Sequence, residues 1–531
     1  MKPSRCKHFF SFIPMLMLLA GSLSLIAADK APLDAVKEID QSAAKVDVGP
    51  IESGPYEASW KSLDQYECPA WFRDAKFGIF MHWGLPSVAD ENRPFGTGHY
   101  AAGMYSQDGK GQPAFRKDIY AWHVKRYGHP SKFGYKDLIP LWKAEKFDAN
   151  ALVTFYKKIG ARYVVPVACH HDNFDIYDST YHRWNVMKMG PKRDLLGEWQ
   201  KACEKQGMRF GASSHSDRGP SFLSGSWGSD DHGPLQGVPY DGSDPALKDF
   251  YLKGVTPEEW QVNWYKRTKE LIDRYHVDLL WFDGPLPYGE VGLKIAAHLY
   301  NTNMKLHDGH CEAVLNVKRA PSYKGVILDI ERGGSSKSLA YPWQTDTTLI
   351  GGWFYHKAQL ELTPGVLVGN LIDIVSKNGN LLLNVGLRPD GTLPENQTDI
   401  LEKLGQWLNV NAEGIYGTRP WASFGEGPTQ VKAGAFKEQK DEYTAQDIRF
   451  TTKGKTLYAF VLGWPQDGRV VIRSLAAPNA VSSVSLLGSS APVTWKQTPE
   501  GLLVDMPAKK PCEYAWCLRI EGEGLKPVPV P

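Results

Sequence analysis

The feature that most constrains the fold of this chain is a series of apolar runs, each ending in polar or ionisable residues. In chain order the runs read KFGIFMHWG (76–84), ARYVVPVACHHD (161–172), RFGASSHS (209–216), DLLWFDG (278–284), AVLNVKR (313–319) and VILDIE (326–331). Because they are continuous rather than alternating, they predict strands that are covered on both faces, as in a parallel sheet. Segments with helical periodicity lie between several of them, for example at 196–205 and 260–275.

This alternation predicts an α/β fold, a (β/α)8-like barrel over residues 29–425. In such a barrel the functional side chains gather at the carboxyl ends of the strands, where these runs carry their ionisable residues. A doubly wound α/β sheet is the competing architecture. It would be favoured by a glycine-rich phosphate loop after an early strand, and the sequence has none there.

A second domain is predicted after the barrel. From residue 426 the sequence shows short β-type runs such as DIRFTT, TLYAFVLG and RVVIRSL, which are separated by Gly, Pro, Asn and Asp. Several short strands with turn residues between them are typical of an all-β sandwich. We therefore expect a C-terminal β-sandwich domain over residues 426–531.

The amino terminus carries the pattern of an export signal. A basic start is followed by an apolar run from Phe9 to Ala28, which ends in two small residues. This predicts a cleavable signal peptide over residues 1–28 and a periplasmic or secreted protein without stable membrane insertion after cleavage. A retained membrane anchor is the alternative, although the run is marginal for crossing a bilayer.

The charge balance limits the kind of partner. Lys and Arg number 61 against 59 Asp and Glu, which leaves a formal net charge of +2. No overall field therefore attracts a polyanion, and we expect no nucleic-acid partner. The oligomeric state is not readable from the sequence.

Two carboxylates stand at predicted strand ends. Asp283 follows Trp281 and Phe282, and Glu331 follows the run that begins at Val326. Retaining glycosidases need one carboxylate to attack and a second to carry a proton. Asp329 and Glu312 lie nearby and remain alternatives for the second role.

The pair His170 and His171 permits a metal interpretation, because imidazoles and a carboxylate can hold zinc or iron. Neighbouring side chains on a strand point to opposite faces, however, so one ion seldom takes both. We expect neither a metal nor another cofactor. Hydrogen bonding to sugar hydroxyls is the favoured role of these histidines.

The same segments resemble glycoside hydrolase family 29, the α-L-fucosidases, over nearly all of residues 55–520. The segments that carry the resemblance are FGIFMHWG (77–84), GARYVVPVACHHDNF (160–174), WNVMKMGPKRDLLGEW (184–199), DLLWFDG (278–284) and VSKNGNLLLNVG (375–386). Their order along the chain makes the resemblance specific. It implies a retaining exo-glycosidase that removes terminal α-L-fucose from oligosaccharides or glycoconjugates.

The resemblance also implies roles for individual residues. Asp283 would be the nucleophile and Glu331, twelve positions after an arginine, the acid/base. The implied pocket residues are His82, His170, His171, His215, Trp281, Arg319 and Trp353. His215 would stand where many members have a tyrosine, because this chain reads SSHSDR there.

Two departures from the family pattern affect the rim of the pocket. They are His215, which stands where many members have a tyrosine, and residues 101–107, which read AAGMYSQ where a Glu-Trp-Tyr element is common. Apart from the family pattern, a loop rich in glycine, serine, aspartate and proline spans residues 221–244. We expect this loop to form a wall of the site and to select the aglycone. The alternatives are a hydrolase of a related sugar, such as an α-L-galactoside, and a catalytically silent fucose-binding protein.

Overall fold

The computed structural model describes residues 46–89, 92–93, 98–109, 118–357 and 360–528. The predicted signal peptide lies outside these residues. Within them, no helix is long and apolar enough to cross a membrane.

Eight parallel strands close into a barrel in the order of the chain. Their bounds are β1 Phe77–Met81, β2 Tyr163–Cys169, β3 Arg209–Ser214, β4 Leu279–Phe282, β5 Val314–Val317, β6 Ile327–Asp329, β7 Trp343–Thr348 and β8 Gly379–Val385. Strand β1 pairs with β8 and so closes the barrel. The predicted barrel is confirmed, and each apolar run of the sequence supplies one of its strands.

Among the described residues, seven helices of nine or more residues accompany the strands. They are α1 Ile119–Tyr127, α2 Ala149–Lys158, α3 Leu195–Gln206, α4 Pro257–Tyr275, α5 Glu290–Leu306, α6 Pro364–Ser376 and α7 Glu395–Asn411. Helix α4 begins with a capping box, in which Thr256 and Glu259 satisfy each other's backbone amides. The fully described segments 318–326 and 330–342 contain no helix, so the barrel departs there from a regular alternation.

The strand register decides which side chains point into the barrel. Trp281 of β4 pairs with Asn316 of β5, and Asp329 of β6 pairs with Gln344 of β7. Partners in a parallel pair lie on the same face, and residues two positions further return to that face. The inner face at the carboxyl ends of these strands therefore presents Asp283, Lys318, Glu331 and Asp346.

The C-terminal domain consists of two packed antiparallel sheets. One holds five strands in the order β13, β16, β11, β10, β9 and the other three strands in the order β12, β15, β14. Their bounds are β9 Arg419–Glu426, β10 Ile448–Lys453, β11 Thr456–Val461, β12 Arg469–Ile472, β13 Ala480–Leu486, β14 Thr494–Thr498, β15 Gly501–Asp505 and β16 Trp516–Glu523. A shared apolar core lies between the sheets, so the predicted C-terminal β domain is confirmed. Strand β9 extends across residue 425, where the sequence places the domain boundary.

The β domain packs against the outside of the barrel. Arg449 of β10 donates to Asp373 of α6 at 2.6 Å, and Lys377 donates to the other carboxylate oxygen at 2.7 Å. All three side chains are buried. Trp407 of α7 also donates to the backbone carbonyl of Ala515 at 2.8 Å. A buried charge network therefore joins the two domains.

We expect Arg449→Met to destabilise the protein, because it leaves the Asp373 carboxylate buried with only one of its two cations. Breaking a buried pair in this way costs about 3 kcal/mol, which lowers the thermal midpoint by several degrees. The control is Arg469→Met, which removes an exposed pair with Asp505 and costs less than about 1 kcal/mol. Equal shifts of the two midpoints in a thermal melt would contradict a stabilising role for the Asp373 network.

Candidate active site

The carboxylate of Asp283 lies among four basic side chains at the carboxyl end of β4. Its Oδ2 is 3.3 Å from His171 Nε2, 3.8 Å from His215 Nδ1 and 3.6 Å from Arg218 Nη1. Its Oδ1 is 3.5 Å from Lys318 Nζ. Arg218 also donates to the backbone carbonyl of Asp283 at 2.6 Å. The carboxylate is therefore surrounded by donors from three neighbouring strands or strand ends.

This environment keeps Asp283 ionised. Burial by itself raises the pKa of a carboxyl group, because the charged form loses its hydration. Here the hydrogen bonds from His171 and His215 and the charge of Lys318 outweigh burial and hold the pKa of Asp283 well below its ordinary value. A partly buried anion with 16% of its side chain exposed is suited to attack a bound electrophile.

Glu331 lies close to Asp283, and Lys318 bridges them. Lys318 Nζ is 2.6 Å from Glu331 Oε2 and 3.5 Å from Asp283 Oδ1. The sum of these distances limits the separation of the two carboxylate oxygens to about 6 Å. The two acids can therefore act on the same bond.

Glu331 has the electrostatics of an acid rather than of a fixed anion. Burial raises its pKa above the ordinary value of a glutamate, the Lys318 ammonium opposes this rise, and the nearby Asp346 and Asp283 add to it. Asp283 and Glu331 thus have pKa values that are moved in opposite directions. Such a division is the usual sign of a nucleophile or base beside an acid.

The two alternative acids occupy different places. Glu312 precedes β5 and pairs at 3.0 Å with Arg209, the first residue of β3, so it lies at the opposite end of the barrel. Asp329 is fully buried one layer below Glu331 and accepts a hydrogen bond from Gln344 at 2.7 Å. Glu331 is the one of these three that shares a cation with Asp283.

Three buried histidines form the floor beside the carboxylates. The ring centroids of His82 and His215 are 5.3 Å apart, those of His170 and His215 4.8 Å, and those of His82 and His170 5.8 Å. Burial lowers the pKa of His215 to about 4 and those of His82 and His170 well below the ordinary value. Neutral imidazoles offer one donor and one acceptor each, which suits hydroxyl groups.

The adjacent histidines lie on the same side of the site, contrary to the expectation from strand alternation. Strand β2 ends at Cys169, and the chain turns directly after it, with Asn173 in the left-handed region at φ 59°. The rings of His170 and His171 are therefore only 4.4 Å apart. His171 Nδ1 lies 2.7 Å from the carbonyl of His215, which fixes the ring so that Nε2 faces Asp283.

Aromatic rings form the apolar wall of the site. Trp281 lies 5.0 Å from both Phe80 and His215, measured between ring centroids. Trp353 lies 4.9 Å from His82 and 6.3 Å from Phe80. The structure therefore brings together all but one of the residues that the sequence singled out.

The exception is Arg319. Its side chain is exposed, whereas Lys318, the preceding residue, points into the barrel and contacts both carboxylates. The reason is the register, because Lys318 stands two positions after the inward residue Asn316. Sequence reasoning missed Lys318, Arg218 and Asp346. Side chains alternate between the two faces of a strand, so every second residue of the run 313–319 faces inward. This alternation would have identified Lys318.

The loop 221–244 reaches the site only with its first residues. The ring of Phe222 lies 5.0 Å from His171 and 5.6 Å from His99. Further along, Asp230 accepts from Tyr240 at 2.7 Å and from Tyr120 at 2.5 Å, which ties the loop to helix α1. The segment 231–237 beyond it is exposed.

The ring nitrogens of the histidine floor are also close enough together to bind one metal ion. Ring nitrogens of His82, His170 and His215 lie within 4.8 Å of one another. The same nitrogens can hydrogen-bond the hydroxyls of a sugar.

Comparison with known proteins agrees with this geometry. Residues 45–413 match the family described as Alpha-L-fucosidase, and residues 439–521 match the Alpha-L-fucosidase C-terminal domain. Human plasma alpha-L-fucosidase is 29% identical over 484 residues, which cover 88% of this chain and 92% of the human protein. An alpha-L-fucosidase of Branchiostoma floridae is 28% identical over 487 residues, with 88% and 96% covered.

A solved structure gives the same result. The alpha-fucosidase of Thermotoga maritima is 28% identical and superposes with a TM-score of 0.66, covering 88% of this chain and all of that protein. It has also been solved in complex with fucose. The family match spans most of the chain and both of its domains, and the chain therefore belongs to the α-L-fucosidases, glycoside hydrolase family 29.

Proposed function

We propose that this hydrolase removes terminal α-L-fucose by double displacement with net retention of configuration. The observation that carries the proposal is the separation of the Asp283 and Glu331 oxygens, which is at most about 6 Å. Retaining glycosidases place their carboxyl groups at roughly 5 to 5.5 Å, whereas inverting ones need about 6.5 to 9.5 Å to admit a water molecule.

In the proposed reaction, Asp283 attacks the anomeric carbon while Glu331 protonates the departing oxygen. The bond to the leaving group breaks as the bond to Asp283 forms, which gives a fucosyl-enzyme ester. Glu331, now ionised, takes a proton from water, and the resulting hydroxide displaces Asp283. Each step inverts the anomeric centre once, so the product keeps the starting configuration. No step requires a cofactor.

The shape of the site supports fucose as the terminal sugar. Buried neutral histidines can bind hydroxyls on one side, and the partly exposed ring of Trp353, which packs on Phe80 and His82, offers an apolar surface to the sugar's methyl group. A galactoside would place a hydroxyl where the methyl lies. A silent binding protein would not need two carboxylates with oppositely shifted pKa values.

The natural substrate is proposed to be a fucosylated oligosaccharide or glycoconjugate met outside the cytoplasm. The basic and apolar pattern of residues 1–28 supports export to the periplasm or the medium. The fucose complex of the Thermotoga relative supports a fucose-containing substrate.

We expect His170→Ala and His171→Ala to raise KM and lower kcat for an aryl α-L-fucoside. Hydrogen bonds to sugar hydroxyls strengthen in the transition state, so their loss affects both constants. The matched control is His232→Ala, which removes an exposed histidine of the 221–244 loop and should leave both constants unchanged. Activity that a chelator abolishes and zinc restores would instead establish a metal on the histidine floor.

The two carboxylates should respond differently to removal. Asp283→Gly abolishes the covalent route, so activity drops by several orders of magnitude even with an excellent leaving group. Glu331→Ala should still form the fucosyl-enzyme from an activated aryl fucoside, because the phenolate departs without a proton. The ester should then accumulate, which intact-protein mass spectrometry detects.

Azide separates the roles further, since it is a nucleophile that needs no base. It should restore turnover of Glu331→Ala and give the α-azide, because two inversions occur. In Asp283→Gly, a single inversion gives the β-azide. Recovery of the α-azide from Asp329→Ala or Glu312→Ala, and not from Glu331→Ala, would assign the acid/base role to that residue.

We expect deletion of residues 231–237 to change the preference among fucosyl linkages and to spare aryl fucosides. The deletion removes the exposed part of the loop and keeps the Asp230 hydrogen bonds to Tyr120 and Tyr240. Phe222→Ala, close to His171, should by contrast weaken hydrolysis of every substrate. An equal loss on all linkages after the deletion would remove the loop from aglycone selection.

A further inference from the structure

Lys318 is a largely buried cation with three carboxylates around it. Its Nζ lies 2.6 Å from Glu331, 3.5 Å from Asp283 and 3.6 Å from Asp346. Only 13% of its side chain is exposed. These carboxylates hold the pKa of Lys318 above its ordinary value in spite of burial, so the ammonium stays charged.

Neighbouring residues fix the position of this ammonium. It lies 4.9 Å from the centre of the Trp281 ring, within the range of a cation–π contact. Asp346, two positions after Gln344 on the same inward face, is fully buried, as is Asp329 in the layer below. Gln344 links this layer to Tyr163 by a hydrogen bond of 2.9 Å. Trp281 and Asp346 therefore hold the lysine side chain in place, and its ammonium faces Asp283 and Glu331.

We propose that Lys318 is a positioning residue that couples the two carboxylates through the reaction. In the free enzyme its ammonium is shared between Asp283 and Glu331. Once Asp283 is esterified and has lost its charge, the ammonium pairs with Glu331 alone and stabilises the ionised form that the second step needs as a base. This proposal rests on the proposed double displacement.

The effect on ionisation follows from the charges that face each group. His171, His215, Arg218 and Lys318 face Asp283, with Asp217 nearby, and Lys318 opposes Asp346 and Asp283 at Glu331. Asp283 must be ionised and Glu331 protonated for the first step. The acid limb of kcat/KM therefore reports the pKa of Asp283, and the alkaline limb that of Glu331. Lys318 lowers both pKa values.

The test replaces Lys318 with Met, with Gln and with Arg, and measures the pH dependence of kcat/KM for an α-L-fucosyl oligosaccharide, whose leaving group needs the proton of Glu331. Loss of the ammonium should move both limbs of the profile to higher pH by about one unit or more, the usual effect of an opposite charge within a few ångströms. Lys318→Arg keeps the charge and should keep both limbs near their wild-type positions.

A second readout follows the fucosyl-enzyme ester that forms from an activated aryl α-L-fucoside. Below its pH optimum, Lys318→Met should release a burst of phenol and then turn over slowly, because Glu331 stays protonated in the fucosyl-enzyme. Azide needs no base and should accelerate this slow phase. The matched control, Arg319→Met, removes the same charge one residue away on an exposed side chain and should leave both limbs in place.

A third readout needs no turnover. A carbodiimide with an added amine labels protonated carboxyl groups, and mass spectrometry of the peptide that contains Glu331 gives the pH of half-maximal labelling. That pH should rise in Lys318→Met and Lys318→Gln. If labelling and both limbs stay within about 0.3 units of wild type, less than any direct charge contact gives, the inference about Lys318 is overturned. A wild-type enzyme without aryl fucosidase activity would overturn the proposed function instead, while the labelling result still decides the role of Lys318.

Discussion

The ionised carboxylate of Asp283 is the constraint on which the rest of the site depends. An anion this far from solvent is costly unless donors surround it. Here the rings of His171 and His215 and the cations of Lys318 and Arg218 surround the carboxylate and stabilise its charge. Each of these groups is held in turn, His171 by a backbone carbonyl and Lys318 by Trp281 and Asp346.

The barrel supplies this arrangement through its register. Inward side chains on neighbouring parallel strands lie side by side, so Asp283, Lys318 and Glu331 meet at one edge although the first and the last are 48 positions apart in the sequence. The layer below carries Asn316, Asp329 and Gln344, which is polar where a barrel interior is usually filled by branched apolar residues. The polar character of this edge thus continues into the barrel.

The same edge separates two kinds of surface. On one side lie the carboxylates and Lys318, where charge can develop and move. On the other lie the neutral histidines and the aromatic rings, which can bind a sugar without adding charge. The β domain packs on the outside of the barrel through the Asp373 network. Its segment between β9 and β10 also reaches this edge, where the backbone amide of Phe436 donates to the carbonyl of Glu331 at 2.8 Å and Glu438 pairs with Arg332.

The sequence by itself indicated the first six barrel strands, helices α3 and α4, and most of the residues gathered at the site. Continuous apolar runs with ionisable ends indicated a covered parallel sheet, and the order of the motifs identified the family and predicted Asp283 as the nucleophile. Only the tertiary structure decided which of two adjacent residues faces the inside of the barrel. It selected Lys318 over Arg319 through the pairing of β4 with β5, and it brought His170 and His171 together through a turn after Cys169. It also placed Glu331 within reach of Asp283. Such choices depend on register and on where a strand ends, and a residue's own chemistry does not encode either.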